Sequence, residues 1–114
     1  MRDIETRSDI DIVIRTFYGK VVQDDLIGPF FKHFDLDTHI PKMVDFWDFA
    51  LLDMPGYTTD VTKMHMHMRL KQEHFDRWIE IFKSTIDELH QGDIVEKAKQ
   101  RAVLIGWTIK SKMG

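Results

Sequence analysis

Helical periodicity is the feature that most constrains this chain. Ile10, Val13, Ile14, Phe17 and Val21 recur at three- and four-residue spacing, which places them on one face of a helix. Met43, Phe46, Trp47, Ala50 and Leu51 form a second such stripe. Phe75, Trp78, Ile79, Phe82, Ile86 and Leu89 form a third, and Ile94, Ala98, Ala102, Ile105 and Ile109 a fourth. No segment alternates convincingly with the period of two that a half-buried strand shows. The fold class expected is all-α, in one domain covering residues 1–114.

Punctuation residues set the expected boundaries. Ser8 with Asp11 three residues on reads as a loose capping box for the first helix. Gly28-Pro29 is a turn signal, and Phe30, Phe31 and Phe34 around it make an aromatic corner rather than a polar loop. The second helix is expected from Asp37 or Thr38, with Pro41 tolerated near its start, and ends near Met54-Pro55-Gly56. The third runs from about Glu73 to Leu89, Gly92 stops it, and Asp93 with Glu96 repeats the capping pattern for the fourth. Two antiparallel helix pairs are then separated by a long irregular segment from Tyr57 to about Gln72. A segment of that length needs something to hold it, and a bound cofactor would do so.

Composition excludes several functions. Charged residues are 31% and the net charge is −3, so no basic field awaits nucleic acid. With no cysteine there is no disulfide framework, thiolate metal site or cysteine nucleophile. No apolar run is long enough to span a membrane. The polar start MRDIETRSD lacks the apolar core of a signal peptide, so a cytoplasmic location is expected. Seven Met and eight Phe suggest an adaptable apolar interior suited to a bulky ligand. Metalloprotease, phosphate-loop, serine-hydrolase and EF-hand motifs are all missing.

The stretch TKMHMHMRL sets His65 and His67 two positions apart. On a helix they would diverge by about 200° and could not grip one metal from a single face; on a strand or loop they could. Tyr18, His39 and Trp78 are the polar side chains placed on apolar stripes. Buried Tyr and Trp are most often core with one satisfied hydrogen bond, and a histidine near a helix start is usually a surface or capping residue. His33, His74 and His90 sit among charged neighbours and read as solvated. A metal site at His65, His67 and His74, or a cofactor-free helical interaction module, both stay open on these residues alone.

Six ordered pieces carry a resemblance: FYGKV at 17–21, LIGPFF at 26–31, H-x-P-K-M-x-x-FW at 39–47, LL-x-x-x-GY at 51–57, HFDRWIEIF at 74–82 and KQRAVLI at 99–105. In this order and spacing, from about Phe17 to Met113, the chain resembles the truncated haemoglobins, specifically their group III branch. The resemblance implies a two-over-two helical sandwich around haem b. It implies a proximal histidine eight residues after the tyrosine of the GY pair; counted from Tyr57, that is His65, the iron ligand. His67 would then face solvent or a haem propionate; the short segment before HFDRW keeps it as the alternative ligand. On the opposite, distal side the resemblance places Tyr18, His39 and Trp78; Pro41, two residues after His39, could shift the helix start and swing His39 outward as a gate, so its open or closed position is left undecided. Met43 and Phe46 would line the distal wall, Phe31 and Phe34 would pack on the porphyrin edge, and Arg69 and Lys63 would pair with propionates. The implied function is binding of dioxygen, and of NO and CO, for storage or transport. The alternative is turnover of NO or peroxide with a reductase partner. Neither a nucleic-acid nor a membrane partner is expected.

Overall fold

The computed structural model describes residues 1–32, 35–53 and 70–113, with side chains through Ser111. Among them are five helices: α1 (Arg7–Val21), α2 (Gly28–Phe31), α3 (Leu36–Leu52), α4 (Gln72–Leu89) and α5 (Asp93–Met113), with no strand. The all-α expectation holds, and each of the four long stripes lies on a helix. α1 is the hub: it packs on α3 and on α4, while α4 packs on α5.

The core follows the stripes. Phe17, 1% exposed, sits at the centre of an aromatic cluster. Its ring meets Tyr18, Trp78 and Phe82 edge-on at 5.0, 5.7 and 5.5 Å. Trp47 of α3 stacks on Phe82 of α4 at 5.0 Å, which ties the two helix pairs together. Each such aromatic pair adds about 0.5–1.5 kcal/mol beyond its buried area.

Helix starts depart from the expected caps where another side chain competes for the free amides. Thr6, not Ser8, caps α1, and its capping box closes on Asp9 rather than Asp11. Asp9 accepts the amide N–H groups of Glu5 and Thr6 at 2.9 and 3.1 Å and pairs with the Arg2 guanidinium. Ile4 beside it is buried. This anchored N-terminal strap draws the helix start two residues upstream. The Arg2 guanidinium, with the two amides, holds the Asp9 carboxyl well below the usual carboxylate range.

The cap of α5 is non-local. Asp93 is already helical, and the Asp3 carboxylate accepts the N–H groups of Ile94 and Val95 at 2.8 and 3.1 Å. Gly92 makes the turn at φ +149°, where a Cβ would run into that carboxylate. His90 is buried rather than solvated, and its Nδ1 donates to the Arg2 carbonyl at 3.1 Å. The aromatic corner contains a one-turn helix, α2. Gly28 lets it fold back against α1, since a Cβ there would lie 2.9 Å from the Val22 carbonyl oxygen.

Asp35 caps α3, accepting from the Thr38 hydroxyl at 2.8 Å. The helix therefore begins ahead of the Asp37 or Thr38 expected. Pro41 lies inside it, and the helix closes with Asp53 in the left-handed region at φ 57°.

Candidate functional site

All five helices contribute to one pocket. Phe17 and Tyr18 come from α1, Phe31 from α2, Met43 and Phe46 from α3, His74 and Trp78 from α4, and Gly106 from α5. They line an apolar cleft that opens to solvent, with a space of about 630 Å³ between its walls counted out to that opening. The walls are mostly rings, methionine and branched aliphatics, the lining expected for a flat apolar ligand. Helical phase explains why they meet. Phe17 and Tyr18 lie on the α1 stripe facing α3 and α4, Met43 and Phe46 are one turn apart on α3, and His74 and Trp78 are one turn apart on α4.

Polar groups are few here, and the main ones are paired. The Tyr18 hydroxyl lies 2.9 Å from His39 Nε2, with the rings edge-on at 5.1 Å. Both residues are 3% exposed. His39 is thus turned inward behind Tyr18, not outward as a gate. The α3 start at Leu36 places His39 in the second half of its first turn, on the stripe shared with Met43, so Pro41 does not displace it. Burial pushes the Tyr18 phenol above its ordinary pKa, so it is a neutral donor throughout the accessible pH range. Two tautomers satisfy the pair. With the proton on His39 Nδ1, Tyr18 donates to Nε2. With the proton on Nε2, His39 donates to the phenol oxygen and the Tyr18 O–H is free to donate into the pocket.

Of the residues singled out in the sequence, Tyr18, Phe31, Met43, Phe46 and Trp78 all line this pocket, and His39 stands directly behind it. His65, His67, Phe34, Arg69 and Lys63 lie outside the described residues, as does Tyr57 from which His65 is counted. One lining residue runs against the sequence reading. His74 is 8% exposed rather than solvated. Its Nδ1 accepts the Lys71 N–H at 2.8 Å, and its ring meets Phe30 edge-on at 4.6 Å. The signal was its place four residues before Trp78, on the apolar face of α4. The acceptor role fixes the remaining proton of the neutral ring on Nε2.

These walls fit haem. Its porphyrin faces need an apolar slot, and the Tyr18–His39 pair and Trp78 put polar groups in and behind the wall of that slot. Among the described residues no helix is long and apolar enough to cross a membrane.

The bacterial-like globin family matches residues 3–104. The group 1 truncated haemoglobin of Tetrahymena pyriformis is 34% identical over 100 residues, covering 86% of this chain and 80% of its own. The group 3 truncated haemoglobin of Campylobacter jejuni is 26% identical over 100 residues, covering 82% and 79%. In structure the order reverses. The group III truncated haemoglobin of Campylobacter jejuni superposes with a TM-score of 0.88 over 100% of this chain and 96% of its own, at 24% identity. The Tetrahymena pyriformis protein in its Fe(III) form gives 0.73 over 91% and 87%, at 28% identity. On the family match, the relatives and the superposed folds together, the chain belongs to the bacterial-like globin family as a truncated haemoglobin.

Proposed function

We propose that this chain holds haem b with His65 as iron ligand and binds dioxygen, NO or CO on the side walled by Tyr18, His39 and Trp78. The family supports a haem globin for diatomic ligands. The observation that carries the finer reading is the buried Tyr18–His39 hydrogen bond at the wall of an otherwise apolar slot. Haem supplies the coordination site for the gas. The chain supplies the rest. The aliphatic and aromatic walls exclude water. Tyr18, relayed by His39, and the Trp78 indole offer hydrogen bonds to a ligand bearing partial negative charge. A buried donor to such a ligand contributes roughly 1.5–3 kcal/mol, which slows release and disfavours apolar CO relative to dioxygen.

Two donors at one wall suit retention and reaction better than rapid delivery. That favours a second reading in which the protein turns over NO or peroxide with an electron donor. Visible spectra of haem-loaded protein in the ferric and ferrous states and under dioxygen test the first reading. A stoichiometric Soret band that His65→Ala abolishes and His67→Ala preserves is expected; a well-folded colourless protein refutes it. NO consumption with a reductant present, measured against free haemin, tests the second.

A further inference from the structure

We propose that the outer face of α5 is the docking surface for an acidic electron-donor protein; this rests on the haem reading above and names the partner of that same site. Val103, Leu104 and Trp107 are 42%, 51% and 66% exposed. At 3.6 residues per turn they form one stripe pointing away from the core. Lys97 and Arg101 run along one side of that stripe and Lys110 along the other, and none of the three makes an ion pair with a described residue. Lys99 holds Asp87 of α4 at 2.5 Å and Glu96 of the first turn of α5 at 3.1 Å, and Asp93, the other acid of that turn, lies about 15 Å before Val103 along the helix axis.

Charge divides sharply along the chain. Residues 1–96 carry 11 basic and 19 acidic side chains, net −8, whereas residues 97–114 carry five basic and no acidic ones. The face is therefore a small apolar centre with a basic rim on an acidic protein. Two copies joined through it would oppose like charges, which disfavours a symmetric dimer. An acidic partner is steered to it and turned to it.

The pocket decides between kinds of acidic surface. Gly106 and Ile109 line the pocket while Trp107, between them in sequence, faces out. A partner resting on Trp107 is thus one helix diameter, about 10 Å, from the pocket. Three apolar side chains also match the small contact areas of transient redox encounters. Both features favour a protein electron donor over a lipid surface.

The test uses haem-loaded protein and a plant-type [2Fe–2S] ferredoxin, an acidic one-electron donor. Reduction of the ferric protein by reduced ferredoxin is followed under CO. The neutral deazaflavin radical serves as a donor that needs no docking. The variants are Trp107→Ala and Lys97→Glu/Arg101→Glu/Lys110→Glu. Expected is a ferredoxin rate that falls steeply with salt and drops about tenfold or more in the charge-reversed variant, with deazaflavin reduction unchanged. Binding of oxidised ferredoxin, followed at the Trp107 indole N–H by NMR in the native and charge-reversed proteins, should weaken in parallel, and Trp107→Ala should lower the ferredoxin rate as well. A ferredoxin rate indifferent to both variants and to salt overturns the proposal. So does binding only to phosphatidylglycerol vesicles, which would assign the face to a membrane surface. A colourless preparation instead refutes the haem reading, and the proposal falls with it.

Discussion

Replacing Tyr18 by Phe removes one oxygen from the centre of the protein and leaves the ring. In the native structure that oxygen lies 2.9 Å from His39 Nε2, and both residues are 3% exposed. Water cannot replace it without opening the core. Removing one partner of a buried hydrogen bond leaves the other unsatisfied, at a cost of about 1–3 kcal/mol. His39→Leu strands the Tyr18 hydroxyl at a similar cost. Removing both takes the donor and acceptor of this bond away together, so for this bond the double variant loses its net worth, about 0.5–1.5 kcal/mol. Mid-range values make the single effects overshoot the double by about 3 kcal/mol, and the extremes of the ranges by no less than about 0.5 kcal/mol, against the 0.3–0.5 kcal/mol within which independent sites add. Urea unfolding followed by circular dichroism, with all four proteins in the same haem state, measures the cycle. Additive effects would show that the pair is not coupled in solution. The distal role assigned to it would then lose its geometric basis.

Three further outcomes follow from the same structure. Tyr18→Phe or Trp78→Phe should speed dioxygen dissociation roughly ten- to a hundredfold, as loss of about 1.5–3 kcal/mol requires; unchanged stopped-flow rates for both would refute the donor assignment. Asp9 and Asp24 both have lowered pKa values, Asp9 chiefly through the Arg2 hydrogen bond. Burial works against the Asp24 charge, but the Ile27 amide and the Arg77 guanidinium more than offset it. The unfolded chain therefore takes up these protons first. The stability they confer is present above the unfolded value of about 3.9 and is lost as pH falls through the lower folded values. Urea midpoints should decline below about pH 4, and the decline should be shallower in Asp9→Asn. Gly92→Ala combines a disfavoured φ of +149° with a collision on the Asp3 carboxylate and should cost about 1–3 kcal/mol. An unchanged melting temperature would show that Asp3 does not cap α5.

The legible parts of this fold are those whose cause is local. The α1 stripe from Ile10 to Val21 and the α4 stripe from Phe75 to Leu89 need only helical phase, and both fall where the periodicity puts them. Asp3 is different. The helix it caps is not the one that follows it in sequence: its partners are the amides of Ile94 and Val95, about ninety residues away. The same N-terminal segment buries His90 against the Arg2 carbonyl, whereas the α1 cap is local: Thr6 and Asp9 form a capping box that competes with the Ser8–Asp11 pattern two residues on. His74 shows how composition misleads where phase does not. Glu73 and Asp76 beside it are exposed and Arg77 pairs with Asp24, so an average over neighbours reads it as solvated. Its own position, one turn before Trp78, puts it on the pocket wall. The same logic separates the two sides of the candidate site. Tyr18, His39 and Trp78 sit on helices whose phase can be read, and they converge as the pattern requires. His65 sits in a stretch without periodicity, where only its spacing from Tyr57 singles it out over His67, so its role must be decided by haem binding in the two alanine variants.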